Sequence, residues 1–227
     1  MPIDIAIIGM AAAAGWITLG ESEMTNPSNF RNPYNDQTNI WPLPDYVDSL
    51  GRIYHPVVSS GWGSPRQDSQ DETVRAHKGS DIMYKRVSTV DKSDQWGNGT
   101  ANGSKWHFIP EPFRLPSLKR TPVMAIADAM VWSASQSARG FQIVLDHGKP
   151  FSTYYQHLVE SPILPTSHGL GARMVKQGEI IGYVGGNPLQ RPGLKHLHFE
   201  LWKGGAGDHA IDCEPVLNLW KHHGYGR

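Results

Sequence analysis

The chain has one cysteine in 227 residues, Cys213. An intrachain disulfide is therefore excluded, and so is a Cys-based zinc cluster, which leaves His and Asp as the ligands a metal site would use. Cys213 itself, just before Glu214 and Pro215, is expected as a small buried residue. An excess of charge of one sign is also lacking, because 21 Lys and Arg balance 21 Asp and Glu. Strong global attraction to nucleic acid is not expected from such a balance, and no nucleic-acid partner is assigned. The first twenty residues, MPIDIAIIGMAAAAGWITLG, contain no Lys or Arg and carry Asp4, so a standard secretory signal is not expected. Their apolar stretch from Ile5 to Leu19 is short for a membrane span. It reads as a helix packed on the domain or on a partner. No repeat of solenoid period occurs.

Glycine and proline are plentiful, at 24 and 17 residues, and favour turns and short strands over long helices. Residues 21–60 are polar and rich in Pro and Asn, which suggests an extended arm able to wrap a domain. From about Gly51 the texture changes to apolar runs bounded by Gly, Pro or Asn. VMAIADAMVWSA, GFQIVLDHG, FSTYYQHL, EIIGYVG and HLHFELW each read as a strand, and the run is antiparallel in character. Gly178 in VKQGE fits the positive φ of a tight turn, and Gly185 with Gly186 suits either close backbone packing or an ordinary turn. PVLNLWK reads as a last helix, with His222, His223 and Gly224 as its cap.

The chemistry concentrates in two strings. If LHFEL is a strand, His196 and His198 project from one face together. In RAHKGSDI, His77 and Asp81 flank Gly79, which can bend the chain so that both reach one ion. Two His and one Asp suffice to hold Zn²⁺ and leave a fourth tetrahedral position open, as a catalytic zinc requires. His157 in FSTYYQHL brings the groups in play to five, more than one site needs, so some of them are expected to be acid/base groups. Tyr155 would share a face with His157 on a strand and is a candidate donor to a substrate oxyanion. His55, His107, His147, His168, His209, His222 and His223 lack such a pattern. His147, in DHG, is expected to be a hydrogen-bonded structural residue.

The ordered set H-x-x-x-D at His77 and Asp81, TYYQHL with His157, and H-x-H at His196 and His198 resembles the lysostaphin/LytM-type zinc endopeptidases of peptidoglycan. TPVMAIADAMVWSA, FQIVLDHG, VKQGEIIGYVGGNP and AIDCEPVL are similar to family segments in family order, so that the resemblance covers roughly residues 50–220. It implies a mainly β (α+β) fold: an antiparallel β-sheet peptidase core with a short C-terminal helix and an N-terminal apolar arm. It implies Zn²⁺ on His77, Asp81 and His198, with His157 and His196 as non-ligand catalytic histidines beside it. It also implies an endopeptidase that hydrolyses peptide stems or cross-links of bacterial peptidoglycan, acting in the periplasm or cell wall. A non-catalytic LytM-like binding or activator domain, and a zinc peptidase acting on glycine-rich protein, are the other readings.

The expected division is 1–50 for the apolar segment and arm, and 51–227 for the peptidase domain. An inserted loop at about 85–120 departs from the family pattern. Two Asn-Gly dipeptides between Trp96 and Trp106 suit tight turns that expose aromatics, so Trp96 and Trp106 are candidate substrate-binding residues, with Lys92, Lys105 and Arg114 facing stem carboxylates. The alternative is a surface elaboration. Without a clear signal for export, delivery by a phage particle or secretion apparatus is a live route, and the N-terminal arm is a candidate dock for such an apparatus or for an immunity protein.

Overall fold

The apolar runs fold as short strands because each is cut by glycine, proline or a turn before it can extend. A computed structural model describes residues 37–47, 50–67, 74–86, 106–108, 120–148, 151–167, 173–186, 195–204 and 209–224. In chain order its first elements are β1 (Tyr46–Val47), β2 (Ile53–Tyr54), β3 (Pro56–Ser60), β4 (Pro65–Gln67), β5 (Val74–Ala76), β6 (Ser80–Arg86) and β7 (Trp106–Phe108). The chain continues through β8 (Pro122–Met124), β9 (Ala129–Ser137), β10 (Gly140–Asp146) and β11 (Phe151–Glu160). It ends with β12 (Met174–Val175), β13 (Ile180–Val184), β14 (Leu197–Lys203), β15 (His209–Ile211) and one helix, α1 (Glu214–Leu217).

Eleven of these strands form one antiparallel sheet whose main path runs β12-β9-β10-β11-β14-β6-β3. The expected fold class is the observed one. Alternation sets its two faces. On β14, Leu197, Phe199 and Leu201 are fully buried in the core, each contributing about 1.5–3 kcal/mol by burial, while His198, Glu200 and Trp202 take the other face.

Three expectations change. VMAIADAMVWSA is two strands, because the backbone leaves the β8–β13 pairing and enters the β9–β10 pairing across residues 125–128. Asp128 fixes that crossing by accepting from the Gln177 amide at 2.8 Å and from Lys176 Nζ at 2.9 Å. The last helix is the short α1, so His222 and His223 lie beyond its C-cap at Asn218 rather than capping it. Finally, the domain body begins before residue 51. Trp41 and Leu43 belong to the core, and Ile40, Trp41 and Asp45 donate backbone hydrogen bonds to Ile126, Lys221 and His223. The apolar segment 1–20 lies outside the described residues. Among the described residues, no helix is long and apolar enough to cross a membrane.

Candidate metal centre

Register brings the first two groups together. His198 of β14 stands directly opposite Asp81 of β6, and antiparallel partners carry their side chains on one face about 4.5–5.5 Å apart at Cβ. His77 arrives from the other side. The β4–β5 hairpin holds its backbone, with the His77 amide donating to Ser64 O at 2.9 Å and its carbonyl accepting from the Gly63 amide at 2.8 Å. Gly79 then lets the chain cross β14, since a Cβ at that position would run into the Phe199 carbonyl oxygen and come within 3.1 Å of His198 Cε1.

The outer ring nitrogens define the tautomers. His77 Nδ1 lies 3.0 Å from the Gly61 carbonyl, and His198 Nε2 lies 2.7 Å from Glu200 Oε1. Both oxygens can only accept, which favours a proton on each outer nitrogen, while the Arg66 guanidinium, a donor only, lies 3.1 Å from His77 Nδ1 and 3.2 Å from its Nε2. The inner atoms converge: His77 Nε2 is 2.9 Å from His198 Nδ1, and Asp81 Oδ1 is 3.2 Å from each. Two nitrogen lone pairs at that distance require a cation between or beside them. Without a metal a proton on His198 meets the need: burial opposes charge on His198, but its hydrogen bonds to Asp81 and Glu200 outweigh burial and raise its pKa to about 9. Burial opposes charge on Asp81 too, but hydrogen bonds from His198 and His77 and the charge of His196 outweigh it and hold the carboxyl well below the usual carboxylate range. An anionic oxygen and two imidazole nitrogens, all three residues buried, form the donor set zinc takes, and donors 2.0–2.1 Å from a tetrahedral ion would stand about 3.3 Å apart. The residues fit the group.

His157 and His196 stand beside this triad. His157 packs edge-on to His196 with ring centroids 4.8 Å apart, and its centroid is 5.8 Å from that of His198. His196 Nε2 is 3.5 Å from Asp81 Oδ1. His157 reaches the site through a β-bulge: two residues, Gln156 and His157, lie between the paired positions Tyr155 and Leu158 on β11, against one, Gln142, between Phe141 and Ile143 on β10. It has φ 67°, a left-handed conformation costing on the order of 1 kcal/mol for a non-glycine residue. Gly140 and Gly185 make room for it, since a Cβ on Gly140 would meet His157 Cα at 3.2 Å and one on Gly185 would meet the His157 carbonyl at 2.8 Å. The close packing suggested for Gly185 is of this kind. His157 Nδ1 donates to Arg139 O at 2.7 Å, which leaves the lone pair on Nε2. Burial, with the nearby charge of His196, lowers its pKa to about 3, so the ring is neutral at physiological pH.

The bulge corrects the reading of Tyr155. Because alternation breaks between 155 and 157, the two side chains do not share a face, and Tyr155 is fully buried in the core. Its hydroxyl accepts from the Ile126 amide at 3.5 Å and lies 3.3 Å from Thr153 Oγ1. Such a group cannot meet a substrate. Trp106 opens β7 opposite Arg86, five residues along β6 from Asp81 and so roughly 17 Å away in backbone at 3.3–3.4 Å per residue. Its backbone is not adjacent to the metal-ligand cluster. Trp96, Lys92, Lys105 and Arg114 lie outside the described residues. His147 is buried and hydrogen-bonded to Asp128 O at 3.2 Å and Thr153 Oγ1 at 2.8 Å, a structural placement.

Three groups went unread in the sequence. Glu200 binds His198 through Oε1 and accepts from Trp202 Nε1 at 2.6 Å through Oε2; the alternation that paired His196 with His198 also pointed to it. Arg66 on β4 donates to Asp81 Oδ2 and lies 3.1 Å from His77 Nδ1, a contact between hairpin and sheet with no periodic signal. Tyr154 is the third: it stacks on Trp202 at 5.2 Å and 15°, stands edge-on to His198 at 6.3 Å and donates to Gln142 Oε1 at 2.7 Å.

A zinc-containing peptidase from Vibrio cholerae is similar to this chain, with a TM-score of 0.47 and 19% identity over 80% of this chain and 40% of that one. This chain thus spans well under half of that protein. The SpoIIQ–SpoIIIAH pore-forming complex contains a chain similar at TM-score 0.49 and 19% identity, covering 82% of this chain and 92% of that one. The catalytic domain of the antimicrobial peptidase lysostaphin from Staphylococcus simulans is similar at TM-score 0.44 and 22% identity, covering 73% and 92%. The model of Peptidase family M23 matches residues 113–212, a stretch holding His157, His196 and His198, while His77 and Asp81 lie upstream of it. Over residues 113–212 the chain thus matches Peptidase family M23, and its mainly antiparallel sheet with one short helix is the β-rich architecture expected of a LytM-type peptidase.

Proposed function

We propose that this chain is a zinc-dependent endopeptidase that hydrolyses peptide stems or cross-links of bacterial peptidoglycan. The observation that carries the chemistry is the convergence of His77 Nε2, His198 Nδ1 and Asp81 Oδ1, with each outer ring nitrogen already committed to an acceptor. The family match supports the substrate class. Zn²⁺ held there supplies Lewis acidity, polarising a scissile carbonyl and lowering the pKa of water from 15.7 to about 7.

The protein's own groups do the rest. Glu200 fixes the His198 ring and strengthens its basicity, the part a carboxylate plays behind a metal-binding imidazole. Arg66 neutralises Asp81 Oδ2 and leaves Oδ1 as the donor. His157, neutral and with its lone pair on Nε2, accepts a proton, and His196 stands within one ring of it to share the load. Tyr154 and Trp202 set a stacked aromatic pair beside His198, where Tyr155 does not reach. Action in the periplasm or cell wall follows from the substrate, and the apolar segment 1–20 is proposed to serve delivery or docking.

Mass spectrometry of fragments released from defined peptidoglycan tests the reading. New peptide termini should appear with the wild-type protein and vanish after chelation. Release of fragments cut only in the glycan strand, or none with zinc-loaded protein, would contradict it.

A further inference from the structure

Away from that centre, a second set of donors meets where the ends of the β1–β2 pair approach the chain after α1. Asp45 precedes β1, His55 links β2 to β3, and His222 follows α1. One ligand atom from each lies within 4.8 Å of the others. His55 Nδ1 is 2.8 Å from Asp45 Oδ1, His222 Nδ1 is 3.9 Å from the same oxygen, and the two rings have centroids 4.6 Å apart.

The backbone under two of these donors is fixed independently of the side chains. The Asp45 amide donates to His223 O at 2.7 Å, Asp45 bridges to Gly224, and His223 Nε2 donates to Trp41 O at 3.0 Å. Trp41 in turn stacks on His222 at 4.8 Å and 17°, which sets the plane of that ring. Asp45 and His55 form an ordinary hydrogen-bonded pair, which accounts for two of the three groups. It does not account for His222, whose Nδ1 is turned toward Asp45 Oδ1 at a distance too long for a hydrogen bond. Donors sharing one tetrahedral ion stand about 3.3 Å apart, between the 2.8 and 3.9 Å seen here, so a small rotation that carries Asp45 Oδ1 away from His55 and toward His222 evens the spacing. Burial and the neighbouring His55 both lower the pKa of His222, which favours the neutral imidazole a metal needs.

We propose that Asp45, His55 and His222 bind a second divalent ion of the zinc class, which clips the segment before β1 to the segment after α1. Two imidazoles and one carboxylate select zinc-like cations over calcium or magnesium. The exposed rings leave coordination positions to water, so this ion exchanges more readily than one at the buried His77 centre.

The test uses the full chain carrying His77→Ala and His198→Ala, so that the buried centre cannot contribute. After equilibrium dialysis against micromolar Zn²⁺, elemental analysis should find one zinc per chain, and zinc should raise the melting temperature over that of the chelator-treated protein. Adding His222→Phe, which keeps a ring against Trp41, or His55→Gln, which keeps a donor to Asp45, should abolish both effects. If the parent variant does not fold, the same comparison in the wild-type background should read two zinc ions against one. No zinc in the parent, or the same zinc content and melting shift after His222→Phe, overturns the proposal.

Discussion

Glu200→Gln isolates the part played by the carboxylate behind His198. Gln is nearly isosteric, but only one of its terminal atoms accepts hydrogen bonds, whereas Glu200 serves His198 Nε2 at 2.7 Å and Trp202 Nε1 at 2.6 Å with separate oxygens. One of those two donors must then face an NH₂ group inside a buried site, at a cost to stability of about 1–3 kcal/mol. His198 also loses the negative charge that raises its basicity, and loss of such a partner weakens metal binding about 10–100-fold, or about 1.4–2.7 kcal/mol. Competition against a chromophoric chelator should show that weakening, and activity should recover at saturating Zn²⁺ because the reacting groups are untouched. Equal zinc affinity for Glu200→Gln and wild type would refute the reasoning.

Gly79→Ala should destabilise the fold by about 1–3 kcal/mol in urea unfolding and weaken zinc retention, because the added Cβ meets the Phe199 carbonyl of β14, a backbone atom that cannot step aside. Unchanged unfolding and zinc content would show that the HKGSD crossing is looser than described. His147 should make stability depend on pH. Burial lowers its folded pKa to about 4, below the unfolded value of 6.5, so stability is full above about pH 6.5 and falls by about 3 kcal/mol as pH drops through 4. Urea unfolding of metal-free protein should show a wild-type decline over that window that is much shallower in His147→Gln, and parallel curves would remove His147 as its source.

Much of the site was legible because strand alternation is a strict code. H-x-H on a strand puts His196 and His198 on one face, and the structure brings both to Asp81. The same code misplaced Tyr155, because one extra residue in β11 resets the alternation, and a positive φ at a histidine leaves no mark in the sequence. Glu200 was legible by alternation and went unread. Arg66 was not, since its contact depends on how the β4–β5 hairpin folds over β6. VMAIADAMVWSA shows the limit of apolar runs: a continuous stretch does not reveal that its two halves pair with different strands. Nor did the polar, Pro-rich texture before residue 51 disclose that Trp41 and Leu43 would enter the core.

The central claim is that metal binding and proton transfer are carried by different residues of one cluster. Zinc content and peptidoglycan turnover, measured together in a His222→Phe background so that no second ion contributes, test it most directly. His77→Ala, Asp81→Ala and His198→Ala should each lose both zinc and activity. His157→Ala and His196→Ala should keep one zinc per chain while turnover falls about 10²–10⁴-fold. Full zinc occupancy in the His198→Ala protein, or wild-type turnover in either His157→Ala or His196→Ala, would contradict the account.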